Sequence, residues 1–409
     1  MTPLQIKAAR KKLGLTQKQA AELIGVSSKT WQQWELGQRL MHEAFWVLFE
    51  SKNKEVVLTP TTVASYNEYT QKNISENHEE LAKITHLRTL HDDSGKKFRF
   101  IDLFSGIGGI RQGFESVGGN CVFSSDIDPF AKFTYYTNFG VVPFGDITEI
   151  AEKDIPDHDL LCAGFPCQPF SHIGKREGFS HPTQGTMFHE ILRIIKHKKP
   201  KFIFLENVPG LINHEEGETL KIILDELKSA GYHCSYTLLD AGDFGVPQNR
   251  KRFYLVGSFG FSNENFSFPK PPMIKNDIGQ YIEKNAVGYS ISKHLQDVYL
   301  FKKDDGRPAI VDQNSKGQIK TQCASYHKIQ RLTGTFVRDG DTGIRLFTEN
   351  ECKAIMGFPE SFIIPVSRTQ MYRQFGNSVA IPVIEAIAKE IQRSLNTYNR
   401  SSETMEMAF

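Results

Sequence analysis

Apolar residues recur at helical spacing from Leu4 to Leu13, and Thr16-Gln-Lys-Gln19 has the form of a capping box opening a second helix that reaches Ile24. Gly25 interrupts the pattern. Ser27 then caps a third helix over Ser28 to Leu36, which Gly37 ends. On that helix Trp31 and Trp34 share one face, leaving Lys29, Gln32 and Gln33 exposed. Ser51 to Lys97 is polar and mixed, with helical patches at Thr62 to Tyr69 and Glu79 to Leu87, and reads as a linker region.

From Phe98 the pattern changes. Short apolar runs at Phe98 to Leu103, Cys121 to Ser125, Leu160 to Ala163, Lys201 to Leu205 and Phe253 to Val256 read as buried strands. Their alternation with helical stretches predicts an α/β sheet with ligands at the carboxyl ends of its strands. Asn263 to about Gly343 has several prolines and glycines and short β-like pieces, which predicts a second, smaller domain. A helix over Pro382 to Leu395 must return to the first domain, and Arg400 to Phe409 reads as a frayed tail. The expected organisation is therefore a helical domain at 1–50, a linker region at 51–97, a catalytic α/β domain at 98–262 completed by 372–396, and a smaller domain with its hinge at 263–371.

At 409 residues with 39% hydrophobic and 23% charged residues, the chain has the composition of an ordinary globular protein of two or three domains. Lys and Arg total 49 against 47 Asp and Glu, so any basic footprint must be local. Met1 to Leu40 has seven Lys or Arg against two Glu, and Asn314 to Arg338 has five and no acid, although a solvated face is the plain alternative for each. The six cysteines form no CxxC pair, which disfavours a metal site and a disulfide scaffold. With no apolar run near the ~18 residues of a membrane span and no signal-peptide core, the expectation is a cytoplasmic protein with no membrane partner.

Candidate chemistry sits at the strand ends. Gly106, Gly108 and Gly109 follow the first strand where a helix should begin, and glycine lets backbone approach a ligand closely. The spacing is not the dinucleotide fingerprint, since Arg111 occupies the place of its last glycine. Asp126 ends the second strand, where an acid can bind both hydroxyls of an adenosyl ribose, and Asp146 closes a third strand-like stretch. Helix capping is the plain alternative for both acids, but their position at successive strand ends favours a ligand. Gly164-Phe-Pro-Cys-Gln-Pro-Phe-Ser171 sets Cys167 between two prolines on a stiff loop, a presentation that suits a nucleophile better than the usual buried cysteine. Lys175 and Arg176, in the following loop, are candidate phosphate partners. Glu206 ends the next strand at the same edge as Cys167, and Arg250 and Arg252 alternate towards one face of the strand that continues to Val256.

These segments resemble the motifs of the DNA (cytosine-5)-methyltransferases. Asp102-Leu-Phe-Ser-Gly-Ile-Gly-Gly109, Gly164 to Ser171, Glu206-Asn-Val208, Gln248-Asn-Arg-Lys-Arg252, Arg345 to Glu351 and Gly376-Asn-Ser-Val379 stand in the order that family uses, over Phe98 to about Gln392. The resemblance implies an S-adenosylmethionine-dependent methyltransferase sheet with a smaller target-recognition domain, acting without a metal. It implies a cofactor site of Phe104, Gly106, Gly108, Asp126, Ile127, Asp146, Ile147, Pro166, Met187, Asn377 and Val379. The implied catalytic set is Cys167, Glu206, Arg250 and Arg252: Cys167 adds to C6 of a cytosine flipped out of duplex DNA, Glu206 bonds N3 and the exocyclic amine, and Arg252 holds O2. Many members carry a Thr-Leu or similar dipeptide in the target-recognition region, where this chain has Lys320-Thr-Gln-Cys323.

The first forty residues resemble a helix-turn-helix of phage-repressor type, whose base-reading positions fall on Ser28, Lys29 and Gln33; a small packing bundle is the alternative. This N-terminal addition and the stretch Tyr326 to Gly343 are most similar to a type II modification enzyme of the family, which implies the target CCGG with its outer cytosine modified. They also imply a monomer on that site, paired in function with a cognate restriction endonuclease, and possible control of its own operon by the N-terminal domain. An RNA cytosine-5 methyltransferase is a rival, but such enzymes usually place the attacking cysteine where this chain has Glu206-Asn207-Val208. A DNA-binding protein with an inert enzyme part is a second, opposed by the intact Cys167 and Glu206.

Overall fold

In the computed structural model the residues described are 3–12, 15–24, 26–36, 41, 49, 79, 82, 83, 85, 86, 95–166, 187–260 and 266–406. Two compact units divide the chain, Met1–Asn77 and His78–Phe409. No helix among the described residues is long and apolar enough to cross a membrane.

The N-terminal unit contains α1 (Pro3–Lys12), α2 (Gln17–Leu23) and α3 (Ser28–Glu35). The capping box is present: the Thr16 backbone N–H donates to Gln19 Oε1 at 2.9 Å, and the Gln19 N–H donates to Thr16 Oγ1 at 3.2 Å. Ser27 caps α3 by accepting from Thr30 N–H at 3.0 Å. Trp31 and Trp34 are buried with Ile6, Ala20, Ala21 and Ile24, while Ser28 and Lys29 are exposed and Gln33 is half-buried. Beneath the tryptophans lies an ionic centre, where Glu35 accepts from Arg10, from Gln17 Nε2 at 2.7 Å and from Trp31 Nε1 at 2.8 Å.

The second unit is built on a six-stranded sheet. Its strands are β1 (Phe98–Leu103), β2 (Gly119–Ser125), β3 (Leu160–Gly164), β4 (Phe202–Asn207), β5 (Tyr232–Asp240) and β7 (Lys251–Phe259), in the order β2-β1-β3-β4-β7-β5; β6 (Gln248–Asn249) stands outside it. The first four strands of that order are parallel, and β7 runs antiparallel to both of its neighbours. Period-two alternation divides the core. Phe100, Cys162 and Phe204 face Val383, Ile384, Ile387 and Ile391 of α10 (Ile381–Glu406), whereas Ile101, Leu161, Ile203 and Leu205 face Ile191 and Ile195 of α6 (Met187–Lys198) and Ile223 and Leu227 of α7 (Glu218–Ser229).

Between β1 and α4 (Gly109–Glu115) the chain turns through positive φ at Phe104, Gly106 and Gly108. Gly108 has φ 84°, and a Cβ there would lie 2.3 Å from Phe139 Cε2 in α5 (Pro129–Phe139), so both conformation and space exclude a side chain. Arg111 is buried against the rings of Tyr135 and Phe139 and donates to Glu115 at 2.8 Å. The large residue at the fingerprint's last glycine position thus joins α4 to α5.

A third core gathers residues from Ile278 to Ile381, including α8 (Glu349–Met356) and α9 (Arg368–Asn377). Here strands are short: β8 (Ala309–Val311) pairs with β10 (Thr335–Val337), and β9 (Ile319–Lys320) pairs in parallel with β6. Arg345, fully buried, joins Asp339 at 2.9 Å to Glu351 at 2.8 Å and so fastens this region to the start of α8.

Three expectations about the elements are corrected. The stretch near Asp146 makes only the single bridge Ser125 to Phe144, because a short 3-10 turn (Ile147–Glu149) begins at once. The last helix runs past Leu395 to Glu406, into the tail expected to fray from Arg400, with no Gly or Pro from 396 to 406 to stop it; residues 407–409 lie outside the described residues. Thr85 and His86, placed in the linker region, are buried in the second unit against β2 and Val142.

Burial raises the Glu35 pKa, but the hydrogen bonds from Arg10, Gln17 and Trp31 outweigh it and hold the carboxyl at about 2. Because the folded value lies below the unfolded one, this stabilisation is complete above the ordinary value of 4.5 and is lost as pH falls towards about 2. We expect unfolding of the N-terminal unit, followed by tryptophan fluorescence, to show an acid limb over that window that Glu35→Gln flattens.

Candidate active site

The carboxyl ends of β1, β2, β3 and β4 open onto one cleft of about 430 Å3. Because β7 is antiparallel, it is the start of that strand that reaches the same edge: Phe253 pairs with Asn207 and Tyr254 with Glu206. This direction brings Arg250 and Arg252 to the cleft beside Glu206.

Glu206 is largely buried, with Arg252 Nε 3.4 Å from its Oε1. Burial raises the Glu206 pKa more than the nearby Arg252 and Arg250 lower it, so its proton is held above the ordinary carboxylate range. The next residue orders the loop that leads to Cys167, since Asn207 Nδ2 donates to the Phe165 carbonyl at 3.0 Å while Asn207 Oδ1 accepts from Val208 N–H at 2.8 Å. Cys167, Lys175 and Arg176 lie outside the described residues.

Arg250 is fully buried, and it donates to backbone instead of presenting its fork to the cleft. Its guanidinium reaches the carbonyls of Gln322 at 3.2 Å, Gly376 at 2.9 Å and Ser378 at 2.5 Å. Burial, with Arg252 close by, lowers its pKa to about 10, which leaves it charged at neutral pH. At the same junction a Cβ on Gly376 would lie 2.1 Å from the Ala324 nitrogen, so only glycine allows the two backbones to meet. Gln322 is buried too: its backbone N–H donates to Gln248 Oε1 at 2.7 Å and its side-chain Nε2 donates to Cys352 Sγ, so it packs the junction.

The remaining expected residues divide. Phe104, Gly106, Asp126, Pro166, Asn377 and Val379 line the cleft with Glu206, Arg250 and Arg252. Asp126 Oδ2 accepts from Gly106 N–H at 2.7 Å and Oδ1 from Asp128 N–H at 2.8 Å, which ties the second strand end to the glycine turn. Outside the lining are Gly108, which serves the packing of α4 on α5, and Ile127, which is exposed. Asp146 caps the short turn through Thr148 N–H at 2.9 Å, Ile147 is buried in the core, and Met187 opens α6. Among the lining residues that sequence reasoning left out of the site are Asn207, Ser105 and Gln374. The signal for Gln374 was its helical spacing of three from Asn377 on α9.

A mixed α/β sheet that gathers a glycine turn, a buried carboxyl and two arginines around one cleft at its strand ends has the layout of an α/β enzyme that binds a polar ligand. Comparison with known proteins identifies it further: the chain belongs to the C-5 cytosine-specific DNA methylases, whose family model matches residues 98–393, and a helix-turn-helix model matches residues 6–40. The chain is 61% identical to the type II methyltransferase M.MspI of Moraxella sp over 98% of both chains, which bears out the expected likeness to one type II enzyme. It is 57% identical to M.BsuFI of Bacillus subtilis over 74% of both. Among solved structures, the Dnmt2 methyltransferase of S. pombe matches with a TM-score of 0.59 and 26% identity, covering 74% of this chain and 99% of that one. The chain is thus a type II DNA (cytosine-5-)-methyltransferase, and the RNA-enzyme and inert-binder rivals lose their ground.

The family implies S-adenosylmethionine, and the cleft fits it. Ser105 Oγ and Gln374 Nε2 are buried at its wall with no hydrogen-bond partner among the described residues, and a Cβ on Gly109 would meet Ser378 Oγ at 2.7 Å, which keeps this wall bare backbone. Such groups suit the polar ends of an amino-acid and nucleoside ligand.

A protonated Glu206 can donate to a ring nitrogen, a role that ends when it ionises. We therefore expect the methylation rate at saturating substrates to fall as pH rises through the elevated Glu206 pKa. Glu206→Gln, which cannot ionise, should be slower but lack that limb; a pH-rate profile of the two proteins checks it.

Proposed function

We propose that this enzyme methylates C5 of the outer cytosine of CCGG in duplex DNA, after that cytosine has been turned out of the helix into the cleft beside Glu206. The observation that carries the reading is the Glu206–Arg252 pair at the strand edge, in a cleft that Phe165 and Pro166, the residues preceding Cys167 in the sequence, also line. C6 of a stacked cytosine is out of reach of a buried edge, so extrusion is required, at a cost of roughly a few kcal/mol.

Cys167, as thiolate, adds to C6, and the electron pair displaced by the new S–C6 bond makes C5 nucleophilic. A protonated Glu206 donates to N3 and accepts from the exocyclic amine, while Arg252 donates to O2; both favour the charge pushed into the ring. S-adenosylmethionine, held at Phe104, Gly106, Asp126, Asn377 and Val379, supplies an electrophilic methyl group. Loss of the C5 proton to a base then expels Cys167 and restores the ring. Arg250 holds Gly376 and Ser378 in place on either side of Asn377, so its part is positioning.

The target specificity is supported by the likeness to M.MspI across the whole chain, and the segment 263–343 is proposed to read it. Lys175 and Arg176 are proposed phosphate partners. The enzyme acts as a monomer in the cytoplasm, in functional partnership with a restriction endonuclease that cuts the same site. The N-terminal unit is proposed to bind a second DNA site, the promoter of its own operon, through Ser28, Lys29 and Gln33.

Bisulfite sequencing of DNA from cells expressing the chain should show methylation at the outer cytosine of CCGG alone; another pattern overturns the target. Cys167→Ser should lose methylation by at least about a thousandfold while still binding cofactor. Wild-type enzyme should form a denaturant-stable adduct on duplex carrying 5-fluorocytosine, because fluorine cannot leave as a proton does.

For the N-terminal unit, Lys29→Ala with Gln33→Ala should abolish a footprint on upstream operon DNA and leave CCGG methylation unchanged. A module adding only non-specific affinity would instead weaken binding to every sequence and flatten its salt dependence. An unchanged footprint would exclude base reading by α3.

A further inference from the structure

We propose that Ala82, Thr85 and His86 form a brace for the cofactor edge of the sheet, with His86 as its positioning residue. The family match covers residues 98–393, and these three residues lie outside it. The proposal rests on the reading that Asp126 borders the cofactor.

β2 is an outer strand, and at its end Ser124 turns its backbone N–H and C=O away from β1. A bare edge of this kind needs partners. His86 Nε2 accepts from Ser124 N–H at 3.0 Å, and the Phe144 N–H donates to the Ser124 carbonyl at 2.8 Å. With Nε2 accepting, the imidazole proton sits on Nδ1 and is donated to the Ala82 carbonyl at 2.9 Å. The His86 ring lies 4.7 Å from Phe144 and 5.8 Å from Phe123, which stack on each other. Thr85 adds a second tie by accepting from Val142 N–H at 3.0 Å.

These contacts fix residues 142–144 against the end of β2, and the consequence passes to the site. Asp126 N–H donates to the Phe144 carbonyl at 3.0 Å, and Asp126 in turn accepts from the glycine turn at Gly106. His86 thus stands behind the residue that joins two strand ends at the cleft. Burial outweighs the Ala82 hydrogen bond and lowers its pKa to about 4, keeping the ring a neutral acceptor at physiological pH.

The test uses the full chain with His86→Phe, His86→Gln, Thr85→Val and Asp126→Ala. Two quantities are read: the dissociation constant of S-adenosylhomocysteine by calorimetry, and amide hydrogen exchange over residues 119–128 without ligand. His86→Phe keeps a ring against Phe123 and Phe144 but leaves Ser124 N–H unpaired. It should weaken binding about tenfold and speed exchange in that stretch. DNA affinity and turnover at saturating cofactor should stay within about twofold, since no residue of the brace reaches the Glu206 side of the cleft. His86→Gln, whose side chain can accept and donate, should recover most of the loss. Thr85→Val should weaken binding in the same direction, and it carries the test with His86→Gln if the phenylalanine variant does not fold. If Asp126→Ala leaves the affinity unchanged, the cofactor reading itself fails. If Asp126→Ala weakens binding while His86→Phe and Thr85→Val keep wild-type affinity and exchange, the brace alone is overturned.

Discussion

The catalytic unit depends on one buried cation. Arg250 joins three carbonyls that lie 72, 126 and 128 residues away in the chain, at Gln322, Gly376 and Ser378. Each hydrogen bond from a charged group contributes about 1.5–3 kcal/mol, and removal of the guanidinium would deprive all three carbonyls of that donor. Desolvating an unpaired arginine is costly, so the arrangement holds only because the carbonyl dipoles converge on it. Gly376 is the other half of this constraint, since its missing side chain is what allows the 323–324 peptide to lie against α9. The region proposed to read DNA and the turn proposed to hold cofactor therefore meet at one point, and neither can shift without disturbing Arg250.

The same burial that makes Arg250 structural makes Glu206 chemical. Both stand at one sheet edge, but Arg250 has backbone oxygens within reach, whereas among the described residues Glu206 has Arg252, with its Nε at 3.4 Å, and the weaker influence of Arg250. A carboxyl with so little compensation holds its proton to higher pH than usual, and the protonated form is the one that can donate to a ring nitrogen. The antiparallel course of β7 is what brings the pair together. Had that strand run parallel, its start would lie at the opposite edge of the sheet, remote from Glu206.

Much of this was legible in the sequence for a physical reason: strands buried on both faces must be apolar throughout, so β1, β3 and β4 announced themselves, and glycines at Gly106 and Gly108 marked a turn that tolerates no side chain. The direction of β7 was not legible, because a continuous apolar run reads the same for either direction. Nor was the role of Arg250, whose partners are carbonyls, and a carbonyl leaves no mark on the sequence. Asp126 and Asp146 looked alike, each an acid at a strand end. Only the structure separates them, one bridging to Gly106 at the cleft and the other capping a turn outside its lining.

His86 shows most sharply where reading by motif falls short. A single histidine in a polar stretch before the first strand has no pattern to distinguish it from a surface residue, and the motifs of chemistry begin only at Phe98. The demand it meets belongs to the sheet: β2 is an edge, and the edge lies directly behind Asp126. An outer strand must be covered to keep its end in register, and the cover can come from any part of the chain that reaches it. The physical boundary of the catalytic unit therefore falls near His78, where packing changes, and the chemistry begins twenty residues later.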